Sequence, residues 1–182
     1  MESWIKRRTA FVGSFFSVVT GTVSTPKGGP AKRDIVEHRG GVAIIPVYKD
    51  SVLLIRQFRI SVGCEMLELP AGRLESLDEL PARRAALELE EEVGYVAERL
   101  ELVAEYYSSP GFTNERMDIY MASGLTRSAR NGDWDEDIRV CPVKLTDIES
   151  MLREGRIKDS KTIIGLFFCL QRLGLPKGEG QV

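Results

Sequence analysis

The sequence has few of the residues that build disulfide frameworks and zinc sites. Its 182 residues include three cysteines, none in a CxxC pair, and a single histidine, His38. An odd number of widely spaced cysteines argues against a disulfide framework, and one imidazole argues against a structural zinc site. We therefore expect a protein of the reducing cytoplasm.

Long apolar runs and a dominant charge are also lacking. No apolar run in the sequence approaches the ~20 residues that a membrane-spanning helix requires. The 25 Lys and Arg residues are balanced by 27 Asp and Glu residues, which leaves a net charge of −2 and no overall basic surface for phosphates. We expect neither a membrane nor a nucleic acid as a partner. Hydrophobic residues at 43% and charged residues at 29% are typical of a globular domain.

Short β-rich segments separated by turn-forming residues occupy residues 10–70. Residues 42–48 and 52–58 are separated by a polar turn at 49–51, which predicts a β-hairpin. The stretch behind Lys6-Arg7-Arg8 imitates a signal peptide, but its β-branched and aromatic residues favour strands. Further strands are predicted at 96–107, 116–123 and 137–143.

Strong helix formers at 78–93 predict a helix with Pro81 in its first turn and Gly94 at its end. Two more helices are predicted at 146–154 and 160–173. The element order indicates a mixed α/β (α+β) sandwich. We divide the chain into an N-terminal β arm (1–39), a main domain (40–176) and a flexible tail (177–182).

Three glutamates on the predicted helix form the most chemically informative pattern. Glu88, Glu91 and Glu92 stand at i, i+3 and i+4, so on an α-helix they share one face. Their mutual repulsion calls for a cation, and Mg²⁺ prefers carboxylate and carbonyl oxygens, so Ala71-Gly72 in the preceding loop could add a carbonyl. An ordinary solvated acidic face is the alternative interpretation.

The residues from Gly72 to Tyr95 resemble the Nudix box, in which Gly, five residues, Glu and seven residues precede Arg-Glu-hydrophobic-x-Glu-Glu-x-Gly-hydrophobic. Two departures are visible. Six residues separate Gly72 from Glu79, and Leu87 stands where the family has Arg. Arg83 or Arg84, one turn back on the helix, is placed to take over the pairing of the missing Arg.

Further segments are similar to the ADP-ribose pyrophosphatase branch of the Nudix hydrolases. Pro110 stands sixteen residues beyond Gly94, which matches the spacing of that branch's substrate loop. The other matching segments are Arg33-Asp34-Ile35-Val36-Glu37-His38, Arg56-Gln57-Phe58-Arg59, Glu68-Leu69-Pro70-Ala71-Gly72, Ser108-Ser109-Pro110-Gly111-Phe112-Thr113-Asn114-Glu115 and Asp159-Ser160-Lys161-Thr162. The last of these is also similar to GDP-mannose hydrolases.

The resemblance implies a Nudix fold, an α-β-α sandwich with a mixed sheet plus an N-terminal antiparallel β arm that packs across a homodimer. It implies Mg²⁺, with Mn²⁺ as a possible substitute, held by Ala71, Glu88, Glu91, Glu92 and Glu136. Glu91 and Glu136 are the implied catalytic residues, Glu136 acting as general base or as an extra ligand. The implied substrate-binding residues are Arg59 as a phosphate clamp, Pro110, Gly111, Glu115, Glu37, and Phe16 or its neighbour Phe15 as a base-stacking ring.

The implied reaction is hydrolysis of the diphosphate bond of a nucleoside diphosphate sugar. The first candidate substrate is ADP-ribose, which would give AMP and ribose 5-phosphate. One alternative keeps the chemistry and changes the substrate to GDP-mannose or a broad range of nucleotide sugars. A second alternative, of a different class, is a non-enzymatic Nudix-like nucleotide-binding module, suggested by Leu87 and the displaced Gly72.

Overall fold

The computed structural model describes residues 1–128 and 137–174. An N-terminal sheet comes first, formed by β1 (Ser3–Val12), β2 (Phe16–Ser24) and β3 (Pro30–His38) in antiparallel order β1-β2-β3. The predicted β arm and the strand interpretation of the apolar stretch after Arg8 are thereby confirmed. All ten residues of β1 are exposed, whereas Val19 and Val23 of the central strand are buried.

A mixed seven-stranded sheet follows, in the order β10-β5-β4-β9-β8, with β6 paired to β5 and β7 paired to β4. Strands β4 and β9 are parallel, and the remaining pairs are antiparallel. The strands are β4 (Gly41–Tyr48), β5 (Ser51–Arg59), β6 (Cys64–Glu68), β7 (Ala71–Arg73), β8 (Tyr95–Tyr107), β9 (Arg116–Arg127) and β10 (Arg139–Lys144).

Helices cover both faces of this sheet. Val42 and Ile44 of β4 pack in a core with Leu89 on the α1 side, whereas Ala43 and Ile45 pack in a second core under α2 and α3. Because both faces of β4 are buried, its sequence is a continuous apolar run rather than an alternation of apolar and polar residues. The predicted α-β-α sandwich is confirmed. The helices are α1 (Pro81–Glu88), a π-helical turn (Leu89–Val93), α2 (Leu145–Arg153) and α3 (Ser160–Arg172).

Two local predictions differ from the structure in detail. The hairpin turn is one residue shorter than predicted, because Ser51 already pairs with Tyr48 and the left-handed Lys49 (φ 56°) makes the reversal tight. The predicted helix at 78–93 begins at Pro81 and changes from α to π at Leu89 before Gly94 ends it in the left-handed conformation (φ 76°). None of the described helices is long and apolar enough to cross a membrane.

Candidate active site

A cavity of about 720 Å³ opens where the π-helical turn, the loop at β7, the N-terminal sheet and the start of α3 meet. Its wall carries acidic and basic side chains together, a combination suited to an anion that binds with a cation. The acidic lining residues are Glu75, Glu88, Glu91, Glu92, Glu115 and Asp159, and the basic ones are Arg59, Arg73, Arg84 and Lys161.

The structure brings the three box glutamates to this one cavity. Glu88 ends α1, and Glu91 and Glu92 lie on the π-helical turn. A π turn closes i→i+5 hydrogen bonds and is therefore wider than an α turn; such turns are frequent at functional sites. The side chain of Glu88 is 8% exposed and that of Glu91 34%, so these carboxylates do not form a uniformly solvated face.

The β7 loop lies directly against these carboxylates. The backbone N–H of Ala71 donates to Oε2 of Glu92 at 2.9 Å. A Cβ atom built on Gly72 would lie 1.6 Å from Oε1 of Glu88, so only glycine leaves room for that carboxylate. Gly72 therefore takes the place of the box glycine despite the additional residue before Glu79. Glu79 closes this longer loop by accepting the N–H of Glu75 at 2.7 Å.

Arg84 compensates the charge of Glu88. Its Nε donates to Oε1 of Glu88 at 2.7 Å, and its Nη2 lies 4.0 Å from Glu91. Burial alone would lower the pKa of Arg84, but Glu88 outweighs this effect and raises it, with Glu91 acting in the same direction. Of the two arginines suggested to replace the missing Arg at Leu87, the structure selects Arg84, and Arg83 is exposed.

The donor chemistry of this wall fits a hard divalent cation. Glu88, Glu91, Glu92 and the Ala71 carbonyl offer only oxygen ligands, as Mg²⁺ prefers. In the present arrangement, Arg84 holds Glu88 and the Ala71 N–H holds Glu92. Within residues 1–128 and 137–174, no three His, Cys, Asp or Glu side chains converge as a ready-made metal group. Binding of one ion by all three carboxylates would therefore require these side chains to move closer together.

Arg59 lines the cavity and is held by a buried carboxylate. Its Nε and Nη2 donate to the two oxygens of Glu68 at 2.8 and 2.9 Å, and Glu68 is 2% exposed. Burial would raise the pKa of Glu68, but Arg59 and Lys161 outweigh burial and lower it. The ion pair fixes the guanidinium plane at the cavity wall.

The loop after β8 contributes Ser108 and Glu115 to the cavity, whereas Pro110 and Gly111 are not among its lining residues. Ser108 Oγ donates to Glu115 at 2.6 Å. The loop is tied to the N-terminal sheet because the N–H of Val36 donates to the carbonyl of Phe112 at 2.8 Å.

The N-terminal sheet supplies Phe15 to the cavity. The Phe15 ring packs edge-to-face against the His38 ring, with 5.9 Å between the ring centres. The guanidinium of Arg73 lies 5.3 Å from the Phe15 ring centre. Phe16 does not line the cavity. Its ring packs against that of Phe15, with 5.1 Å between the ring centres. Glu37 forms an ion pair with Arg7 at 3.0 Å.

Sequence reasoning gave no role in the site to several other lining residues. His38 reaches it from β3 and accepts the N–H of Gly40 on Nδ1 at 3.0 Å. Tyr106 lines it from β8, and burial, followed by the charges of Asp159 and Glu115, raises its pKa to about 12, so its hydroxyl stays protonated at neutral pH. No local pattern marks such residues, because distant strands bring them together. Glu136 lies outside the described residues.

Comparison with known proteins identifies the class. Residues 37–164 match the family described as "NUDIX domain". The fold matches a solved structure titled "Crystal structure of ADP compounds hydrolase" with a TM-score of 0.84 at 22% identity, covering 100% of this chain and 97% of that one. The chain belongs to the Nudix family and is a Nudix hydrolase, a family that generally uses divalent metal ions.

Relatives extend over most of the chain. It is 34% identical over 164 residues to an ADP-ribose pyrophosphatase of Bacillus subtilis, covering 88% of each chain. It is 36% identical over 168 residues to a methanol dehydrogenase activator of Bacillus methanolicus, covering 91% of this chain and 90% of the relative. It is 36% identical over 166 residues to a GDP-mannose pyrophosphatase of Pectobacterium atrosepticum, covering 84% of this chain and 85% of the relative.

Replacement of Arg84 tests its compensating role. Arg84→Ala should destabilise the metal-free protein by about 1–3 kcal/mol, because the poorly exposed Glu88 carboxylate loses a charged partner. Urea unfolding in the presence of EDTA measures the change. Arg83→Ala removes the same charge one residue away at an exposed position and should be nearly neutral. Equal unfolding midpoints for the two variants would contradict the assignment.

Proposed function

We propose that this hydrolase cleaves the diphosphate bond of nucleoside diphosphate sugars, with ADP-ribose as the first substrate and AMP and ribose 5-phosphate as products. The observation that carries the proposal is the placement of Glu88, Glu91 and Glu92 in one cavity with Arg59. Relatives named ADP-ribose pyrophosphatase at 34% and 35% identity support this substrate.

Each side chain has a distinct task in this proposal. Glu88, Glu91, Glu92 and the Ala71 carbonyl would hold Mg²⁺, or Mn²⁺ in its place, which when bound polarises phosphoryl oxygens and lowers the pKa of a coordinated water. Arg59 binds a phosphate oxygen through its guanidinium, whose plane Glu68 fixes. Glu91 would act in catalysis as one of the carboxylates that hold this ion.

The remaining residues surround the sugar nucleotide. Glu115 faces the cavity beside Ser108, and Pro110 and Gly111 shape the loop that carries it. Phe15, or Phe16 behind it, would offer a ring to the nucleobase, and Glu37, which pairs with Arg7, would bind the substrate from β3. Glu136 would act as general base or as an additional ligand in the segment before β10.

GDP-mannose is the second candidate substrate, because the chain is also 36% identical to a GDP-mannose pyrophosphatase. The same carboxylate wall and Arg59 would serve it, with a different fit of the nucleobase. A nucleotide-binding module without activity is disfavoured, since a binder has no need for three glutamates on the cavity wall.

We further propose that the chain is a homodimer in the cytoplasm. Strand β1 exposes Trp4, Ile5, Phe11 and Val12, of which Ile5 is 63% and Val12 75% exposed. An exposed edge strand with apolar side chains is a ready interaction surface. The division into a dimerisation arm at 1–39 and a hydrolase domain at 40–176 belongs to the same proposal, and the predicted tail at 177–182 lies outside the described residues. The cytoplasm is supported by the free thiols of Cys64, Cys141 and Cys169.

A substrate panel tests the activity. Purified protein with Mg²⁺ should convert ADP-ribose to AMP and ribose 5-phosphate faster than it hydrolyses GDP-mannose, and EDTA should abolish turnover because the carboxylate wall would then repel the diphosphate. Chromatography identifies the products.

Glu92→Gln should lower kcat strongly, whereas Glu90→Gln, the same change at a glutamate that accepts a hydrogen bond from Ser128, should have little effect. Full activity after exhaustive chelation, or ADP-ribose binding without turnover, would contradict the proposal.

The dimer is tested at its exposed edge. Ile5→Glu should convert the dimer to a monomer in analytical ultracentrifugation, because burying an unpaired carboxylate at an interface is costly. Leu77→Glu adds the same charge at a loop position that is 82% exposed and should leave the dimer intact. Monomeric parent protein at micromolar concentration would refute the arm's proposed role.

The role of Glu136 is tested by varying the metal concentration. Loss of a general base in Glu136→Gln should lower kcat by roughly 10²–10⁴-fold with an unchanged metal requirement. Loss of a ligand should instead raise the metal concentration for half-maximal activity and be partly rescued by excess Mn²⁺. We expect the second result, because a glutamate reaches a fixed ion better than the shorter aspartates beside it. Parent-like kinetics at every metal concentration would exclude both roles.

A further inference from the structure

His38 ends β3 at the wall of the cavity and has no role in the reaction proposed above. We propose that His38 is a substrate-binding residue whose neutral imidazole donates its Nε2–H to an acceptor atom of the nucleoside half of the substrate. The inference rests on the proposed function for the identity of the ligand, and it adds a contact to the nucleoside rather than to the diphosphate. His38 is the single histidine of the chain, so its ring can be observed by itself.

A hydrogen bond from Gly40 determines which ring nitrogen carries the proton. The backbone N–H of Gly40 donates to Nδ1 of His38 at 3.0 Å. A ring nitrogen that accepts a hydrogen bond holds no proton, so the neutral ring carries its proton on Nε2. The bond depends on the glycine, because residue 40 has a φ of 95° and a Cβ atom there would lie 2.8 Å from the carbonyl oxygen of Arg116. Glu115 does not compete for Nδ1, since its Oε1 lies 3.6 Å away, beyond hydrogen-bond range.

The imidazole is held from several sides. The backbone N–H of His38 donates to Oδ1 of Asn114 at 2.7 Å, and His38 pairs with Phe16 in the N-terminal sheet. The Phe15 ring meets the imidazole edge-to-face. The side chain is 11% exposed. A ring fixed in this way loses little conformational freedom when a ligand binds, which favours affinity.

Nε2 is the ring nitrogen that the protein leaves for a ligand. Within residues 1–128 and 137–174, the hydrogen bond and the charged contact of the His38 side chain both involve Nδ1. A donor on a poorly exposed side chain is costly to leave without a partner, and a ligand acceptor would remove that cost.

The position and the charge of this donor favour the nucleoside half of the substrate. His38 lines the cavity beside Phe15, one of the rings proposed for the nucleobase. A nucleoside presents uncharged acceptors, namely ring nitrogens, carbonyl oxygens and hydroxyl oxygens. A diphosphate is bound more strongly by charged donors, and Arg59 already supplies one at the cavity. A neutral N–H donor therefore matches the nucleoside better than the diphosphate.

The nitrogen signals of the single histidine test the contact directly. Long-range proton–nitrogen correlation spectra of ¹⁵N-labelled, tag-free protein at mildly alkaline pH should show the ring proton on Nε2. Addition of AMP should shift the Nε2 signal more than the Nδ1 signal, whereas magnesium pyrophosphate should leave both nearly unchanged. A proton on Nδ1, or no response of Nε2 to millimolar AMP, would overturn the inference.

Two substitutions separate binding from packing. His38→Asn keeps an acceptor near the place of Nδ1 for the Gly40 N–H but removes the Nε2 donor. His38→Gln does the reverse, because its longer amide offers an N–H near the place of Nε2 and leaves Gly40 without its acceptor. In isothermal titration, AMP should bind His38→Asn roughly fivefold more weakly, the loss expected for one neutral hydrogen bond. His38→Gln should regain most of this affinity.

A histidine that serves packing alone would give the opposite order. His38→Asn would then bind AMP like the parent, and His38→Gln would show the lower melting temperature and the weaker binding. KM for the nucleotide sugar should follow the AMP affinity, and kcat should change less. The spectra of the parent protein test the inference even where a variant fails to fold.

The outcomes separate this inference from the proposed function. Unchanged AMP affinity in folded His38→Asn would overturn it, as would an equal loss of affinity for AMP and for magnesium pyrophosphate, which indicates a general disturbance of the cavity. A parent protein that binds AMP through Nε2 of His38 yet hydrolyses no nucleotide sugar would contradict the proposed function and leave this inference standing.

Discussion

The hydrogen bonding of the segment from Leu69 to Gly72 is the constraint on which the site depends. The N–H of Leu69 donates to Thr162 of α3 at 2.8 Å, the carbonyl of Pro70 accepts the N–H of Ile44 at 2.9 Å, and the N–H of Ala71 donates to Glu92 at 2.9 Å. The segment is thereby joined to α3, to the centre of the sheet and to the π-helical turn. A shift of any of these elements would move the Ala71 carbonyl relative to the glutamates.

Charge balance forms a second level of organisation around this segment. Two poorly exposed carboxylates, Glu68 and Glu88, each have an arginine within hydrogen-bond distance, and both arginines line the same cavity. An unpaired carboxylate at either place would be protonated or would destabilise the fold. Arg59 and Lys161 outweigh burial and lower the pKa of Glu68, and Arg84 offsets the charge of Glu88, so acidic and basic side chains lie side by side at the cavity. A magnesium diphosphate, which carries both kinds of charge, is complementary to such a surface.

Local patterns predicted the fold better than they predicted the site. Turn residues and Gly94 located most strands and the helix ends, and helical spacing narrowed the replacement for the missing box arginine to Arg83 or Arg84, of which Arg84 pairs with Glu88. The change from α to π at Leu89 was missed because the same helix-forming residues are compatible with both hydrogen-bond patterns. The contact between Glu68 and Lys161 spans 93 residues of sequence, and a buried glutamate is an exception to the usual exposure of charged residues.

The N-terminal sheet links assembly to the site. Its strand β3 meets the loop after β8 through the bridge between Val36 and Thr113, and the N–H of His38 donates to Asn114 at 2.7 Å. These bonds place Phe15 and His38 at the cavity, although the opposite edge strand, β1, is exposed along its whole length. A three-stranded sheet exposed on this scale has little core of its own. Contacts that cover β1 would therefore also fix the aromatic wall of the cavity, and through it the position of a nucleobase.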